Sequence, residues 1–115
     1  MREIKFRAWD KKRNNTFKSM HYFDFYVADC YAMNEDVMQF TGLLDKSGVE
    51  IYEGDIVKDT SVYFSGRLSE IVYDIEVAGY WLKNKDNTQC LQSTNNKNYE
   101  VIGNIYENKE LLDDN

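Results

Sequence analysis

Ile4, Phe6 and Ala8 alternate with Lys5, Arg7 and Trp9 near the start of the chain. A period of two marks a strand with one buried face. The polar, Asn-rich run 10–15 predicts a turn, and residues 16–23 are expected to return as the second strand of a hairpin. Residues 21–26 (His-Tyr-Phe-Asp-Phe-Tyr) form the densest aromatic cluster. It has no clean period, so helix and strand both fit, and core or oligomer interface is the default expectation. Ala28, Tyr31 and Ala32 fall at helical spacing and predict a turn or two of helix within 28–35. Strand character resumes at 37–40.

The stretch from Phe40 to Val57 organises the rest: a short strand, a turn, a second strand, a glycine-marked corner and a third strand. Asp45-Lys46-Ser47-Gly48 places Asp first and Gly last, as a type I turn prefers. Val49, Ile51, Ile56 and Val57 supply the β-branched side chains that suit a pleated surface. Gly54 interrupts the strand pattern, which predicts a bulge, a bend or a positive φ. Asp55 can accept hydrogen bonds from nearby backbone amides where the next strand begins. A Gly-Asp pair opening a β-branched strand is a feature of SH3-like barrels, so a barrel-type core is the expected architecture.

Downstream, 61–64 and 68–74 read as strands around Ser65-Gly66, and 76–82 reads as a further strand with a bulge at Gly79. The Asn-rich runs 84–87 and 93–98 read as loops, with a short strand between them at 88–92. Val101, Ile102, Ile105 and Tyr106 straddle Gly103-Asn104, either as one kinked strand or as two short strands at a turn favouring positive φ. Residues 107–112 predict a terminal helical turn. The fold class expected from this order is mainly β, an antiparallel sheet with little helix, in a single domain over residues 1–115.

Composition supports that class. Aromatic residues make up 15% of the chain, nine of them Tyr, and proline is absent. Such a chain is too apolar for disorder, and 115 residues suffice for one core. No stretch reaches the roughly 18 apolar residues of a membrane helix. Two cysteines, Cys30 and Cys90, without a Cys-x-x-Cys or a secretory run, point to a cytoplasmic protein with reduced thiols, with a Cys30–Cys90 disulfide as the minority alternative.

Net charge is −6, which disfavours a protein that grips phosphates non-specifically. The charge is unevenly spread. Residues 1–18 hold Arg2, Lys5, Arg7, Lys11, Lys12, Arg13 and Lys18 against Glu3 and Asp10, a net +5, so the rest carry −11. The ordinary role of such charges is to keep an edge strand soluble. The functional alternatives are head-to-tail self-association and contact with an anionic partner.

Three blocks also carry a resemblance. Residues 1–10 (Met-Arg-Glu-Ile-Lys-Phe-Arg-Ala-Trp-Asp), the central 40–57 stretch and residues 99–108 (Tyr-Glu-Val-Ile-Gly-Asn-Ile-Tyr-Glu-Asn) together resemble the YopX family, small proteins of bacteriophages and prophages. The blocks follow the family order across nearly the whole chain. Departures are modest: Phe40 stands where the family usually has Tyr, Leu44 where it has Lys, and Lys109 where Pro often follows Asn108. The resemblance implies a β-rich phage protein and brings no established activity with it. On this alignment Gly42, Gly48, Gly54, Asp55 and Gly103 are the structural motif.

Candidate chemistry is sparse. Glu53 and Asp55 could share a strand face, but Gly54 breaks the regularity, so turn chemistry explains them better. His21 is the single histidine and has no partner spacing for catalysis or metal binding. The glycines form neither a P-loop nor a dinucleotide fingerprint. The expectation is a non-catalytic module without cofactor or metal, which binds a host or phage protein or itself, as a homo-oligomer. Arg7, Trp9, Tyr22 and Phe25 are the candidate partner-binding residues, since Trp, Tyr and Arg dominate binding hot spots. The alternative is a nucleic-acid module using the basic N-terminal hairpin.

Overall fold

A computed structural model describes residues 3–10, 19–24, 35–61, 66–85, 88–91 and 96–113. Among these residues nine strands form two antiparallel sheets. In chain order they are β1 (Lys5–Asp10), β2 (Ser19–Asp24), β3 (Glu35–Leu44), β4 (Glu50–Tyr52), β5 (Asp55–Asp59), β6 (Leu68–Asp74), β7 (Gly79–Lys83), β8 (Thr88–Cys90) and β9 (Tyr99–Asn104). A 3-10 turn, Asn96–Asn98, precedes β9, and a short helix, α1 (Glu110–Asp113), packs near β6. The first sheet has the order β2-β1-β3-β4 and the second β8-β7-β6-β5-β9.

The mainly β class and the scarcity of helix are as the pattern predicts. The barrel is not: the two sheets stay open. Closure would need a ladder between the edge strands β4 and β9. Instead the β3–β4 turn bridges them, with Lys46 N–H donating to Tyr99 C=O (2.9 Å) and Val101 N–H to the Asp45 carboxylate (2.8 Å).

The N-terminal hairpin forms in register, Lys5 opposite Asp24 through Asp10 opposite Ser19. Residues 11–18 and 25–34, and with them the aromatic Phe25, Cys30 and nearly all of the predicted 28–35 helix, lie outside the described residues; Glu35 opens β3. So does the strand expected at 61–64, apart from Ser61. β6 spans the predicted 68–74.

Two local expectations change. The strand expected from Glu76 starts only at Gly79; Asp74 Oδ1 accepts the Glu76 N–H at 2.9 Å and turns the chain there. Gly79 pairs regularly with Asp74, without a bulge. Of the two forms expected around Gly103, the single irregular strand is the one observed, not the positive-φ turn, because the turn comes one residue later. Asn104 Oδ1 accepts the N–H groups of Tyr106 (2.9 Å) and Glu107 (3.0 Å), and the Asn108 side chain folds back over Gly103. The irregularity sits at Ile102, which is the extra residue of a β-bulge against β5.

Ile51 leaves the first sheet to pack with Val57, Ile71, Leu82 and Tyr99 of the second, with Leu43, Tyr80, Leu91 and Val101 around them. Each such buried aliphatic contributes about 1.5–3 kcal/mol. To let Ile51 do this, β3 carries an expanded bulge. Residues 41–43 oppose Ile51 alone, Gly42 takes φ +91°, and the Thr41 hydroxyl donates to Ile51 C=O at 2.8 Å.

Asp45 holds this arrangement at its turn. Oδ1 accepts the N–H groups of Ser47 (2.8 Å) and Val49 (2.9 Å), while Oδ2 reaches Val101 in the second sheet. Burial pushes its carboxyl upward, but these amides and that of Gly48 outweigh it and hold the group below the ordinary carboxylate value. A folded-state acid held low contributes stability above its unfolded pKa of about 4 and loses it as pH falls through the folded value. Asp45→Asn should therefore cost about 1–3 kcal/mol at pH 7. In urea titrations at stepped pH, the gap between the variant and the wild type should shrink below about pH 4. A gap independent of pH would refute the assignment.

Candidate functional site

Sequence alternation puts Lys5, Arg7 and Trp9 on one face of β1, and the structure covers that face as well as the other. Ala8 is fully buried on one side, and Arg7, only 4% exposed, is buried on the other. What covers Arg7 is the corner between β4 and β5, where the chain passes from one sheet into the other.

That corner depends on Gly54, which has φ +84°. Its N–H donates to Ile71 C=O (2.8 Å), and its carbonyl accepts Ile105 N–H (2.9 Å). Asp55 Oδ2 then accepts the Tyr52 N–H at 2.7 Å, fastening the turn. Its other oxygen meets Arg7 Nη1 at 2.9 Å, and Arg7 Nη2 donates to Glu53 C=O at 3.0 Å. The guanidinium carbon lies 4.8 Å from the Tyr52 ring centroid. Arg7 Nε is buried without a protein partner.

Either side of Arg7, the same β1 face makes two further contacts, one within the first sheet and one to the turn after β9. The Lys5 ammonium pairs with Glu50 and lies 5.3 Å from the Phe40 centroid. Trp9 stacks on Tyr106 with centroids 5.6 Å apart and 21° between planes. Burial and the hydrogen-bonded Asp36 carboxylate raise the Tyr106 hydroxyl to about 12. Burial, and then Glu50, raise that of Tyr52. For Asp55, burial pushes the carboxyl above its ordinary value against the opposing pull of Arg7.

Above the Arg7–Asp55 pair opens a cleft of about 360 Å³ between the edges of β4 and β9. Glu50 and Tyr52 line one side, and Val101, Gly103 and Asn104 the other. Tyr22 and Val49 stand at its rim. Tyr22 is 63% exposed and sits edge-on to Tyr52 at 5.7 Å between centroids.

Of the residues singled out in the sequence, Arg7, Tyr22 and Asp55 meet in this cleft, with Gly103 in its wall. Trp9 is half-buried against Tyr106, and Phe25 lies outside the described residues. Gly42, Gly48 and Gly54 all take positive φ. Sequence reasoning misses Tyr52, Glu50 and Val49 as lining residues. Their signal was present, since Val49 and Ile51 alternate with Glu50 and Tyr52, but the hairpin pattern does not reveal what the Glu50–Tyr52 face meets. Among the described residues no group of three or more His, Cys, Asp or Glu could hold a metal ion. No helix there is long and apolar enough to cross a membrane.

The fold and the cleft define a small protein of two open antiparallel sheets, joined by a buried arginine–aspartate pair. The chain belongs to the YopX protein family, whose profile matches residues 15–113. It is also similar to protein EF1440 from Enterococcus faecalis, known from a crystal structure. The two are 28% identical, with a TM-score of 0.63 over 97% of this chain and 99% of that one. No curated protein matches the chain.

Proposed function

We propose that the protein is a non-catalytic module of phage or prophage origin that binds another protein, or a second copy of itself, in the bacterial cytoplasm. The observation that carries this reading is Tyr22. A tyrosine 63% exposed, poised over a second aromatic ring at the rim of a preformed cleft, has the anatomy of an interface anchor. Exposed Val49 extends the apolar rim. The charges of the floor beneath are already paired, Arg7 with Asp55 and Glu50 with Lys5.

The same pairings weigh against nucleic acid as the partner. Lys5 and Arg7, two of the seven cations in residues 1–18, are spent on internal carboxylates. The remaining basic residues, with Lys11, Lys12 and Arg13 at their centre, are the part that a nucleic-acid module would need.

Affinity capture from a bacterial lysate with and without nuclease, followed by light scattering, tests the reading. The expected result is a stoichiometric protein complex or a self-assembled oligomer that survives nuclease. Tyr22→Ala should weaken it at least tenfold while leaving the thermal melt within about 0.5 kcal/mol of wild type, as for an exposed position. Capture that vanishes with nuclease, or that is indifferent to Tyr22, would overturn it.

A further inference from the structure

The hairpin tip between β6 and β7 is built from residues that ought to be inside. Ile75 is 83% exposed and Val77 56%, the former the most exposed large hydrophobic among the described residues. The turn that presents them is strained, because Ala78 takes φ +52°, a left-handed conformation that a non-glycine residue adopts at a cost. A glycine follows immediately, so a turn with its positive φ on Gly79 was one residue away. On this strained turn Ile75 and Val77 face solvent.

Behind the tip lies a recess of about 260 Å³ lined by Gln39, Thr41, Glu53, Tyr73, Ala78 and Tyr80. Tyr73 and Tyr80 meet in a T-shape there at 5.2 Å between centroids. Among the described residues, the charged side chains that line it or stand on the turn are of one sign. Glu53 lies in the lining, Asp74 and Glu76 lie on the turn, no cation is in the lining, and none of the three carboxylates is in an ion pair among the described residues. Glu53 Oε1 accepts the Gln39 N–H at 2.7 Å and is thereby fixed in place.

The geometry points to this tip and recess as a second docking surface, for a polypeptide segment in which apolar side chains alternate with lysine or arginine. The apolar groups of such a segment would cover Ile75 and Val77 and enter the recess over the tyrosines. Its cations would meet Glu53, Asp74 and Glu76, a match of sign that steers association and excludes acidic partners. The three carboxylates also repel an anionic lipid surface, so an apolar tip here is directed at protein. The surface shares with the Tyr22 cleft only the premise that the protein acts by binding another.

Fluorescence anisotropy with a labelled ten-residue peptide of alternating leucine and lysine tests it, with leucine–glutamate and glycine–lysine peptides as controls. The leucine–lysine peptide should bind and both controls should not. Ile75→Ser with Val77→Ser should weaken binding at least tenfold. Glu53→Gln with Glu76→Gln should weaken it several-fold and flatten its salt dependence, and Tyr22→Ala should leave it unchanged. Absence of binding, equal binding by the serine variant, or loss in Tyr22→Ala would overturn the proposal. So would tighter binding to phosphatidylglycerol vesicles than to the peptide, or a dimer in light scattering that the serine variant dissolves. If a captured natural partner is lost with Tyr22→Ala but held by the serine variant, the cleft reading survives and this one fails.

Discussion

Asp55→Asn should destabilise the protein by about 3–5 kcal/mol, the cost of leaving a buried guanidinium without its counter-ion. Against a total stability of about 5–15 kcal/mol for a domain of this kind, that is enough to unfold much of the population at 37 °C when the total lies at the lower end of the range. The substitution is chosen to be narrow. Asn keeps an oxygen for the Tyr52 N–H, so the turn bond survives and only the charge facing Arg7 disappears. The pair itself is not a large net source of stability. Burial pushes the Asp55 carboxyl upward against the pull of Arg7, so the desolvation of the two charges offsets much of their attraction.

It follows that removing both charges should hurt far less than removing one. Arg7→Met with Asp55→Asn keeps an apolar side chain over the Tyr52 ring and leaves no unpaired ion. It should recover at least about 2 kcal/mol of the loss in Asp55→Asn, a coupling of the size seen between contacting groups. Urea denaturation of the two single variants and the double completes the cycle. If the double variant is as unstable as the sum of the singles, the two side chains do not act as a pair. On this account the ion pair sets how the two sheets register on each other. A guanidinium held by Asp55 Oδ1, Glu53 C=O and the Tyr52 ring has one position, whereas an apolar contact would tolerate several.

How much of this was legible beforehand differs by element. The 40–57 stretch was read through strand, turn, strand, corner and strand, because Asp, Gly and β-branched residues there have strong local preferences. β1 was legible as a strand, but its polar face was taken for a solvent face. Alternation separates two faces and cannot tell whether a cation is solvated or buried against a carboxylate 48 residues later in the chain, as Arg7 is against Asp55. The barrel expectation failed for a related reason: closure depends on which edges meet, and Asp45 occupies the β9 edge through a contact 56 residues distant. The most instructive error is at 76–82. Val77 was read as part of a strand, yet it stands in solvent on a strained turn with Ile75 close by. Local propensity and tertiary placement conflict there, and such conflicts concentrate at sites kept for something other than folding. Tyr22 is the counterpart, an aromatic legible as important but not as exposed.

Two glycines with nearly the same backbone angle separate strain from space. Gly54 has φ +84° and Gly48 has φ +89°. Giving either a side chain costs about 1–2 kcal/mol for the left-handed conformation alone, more when the residue is β-branched. Around Gly48 nothing lies within 4 Å of an added Cβ, so Gly48→Val should show that cost and little else. At Gly54 the same Cβ would lie 2.9 Å from Met38 Sδ, 3.6 Å from Ile105 Cγ1 and 3.7 Å from Arg7 Nη2. The methionine can yield, but the two methyls of valine must also find room between Ile105 and the guanidinium, and overpacking of that kind adds about 1–3 kcal/mol. Gly54→Val is therefore expected to lose about 2–5 kcal/mol in all, with the excess over Gly48→Val measuring the crowding. Thermal melts by circular dichroism and urea midpoints decide it. Equal losses at the two positions would mean that the corner relaxes around the new side chain. A Gly54→Val variant as stable as wild type would mean that the β4–β5 corner does not hold Arg7 as described.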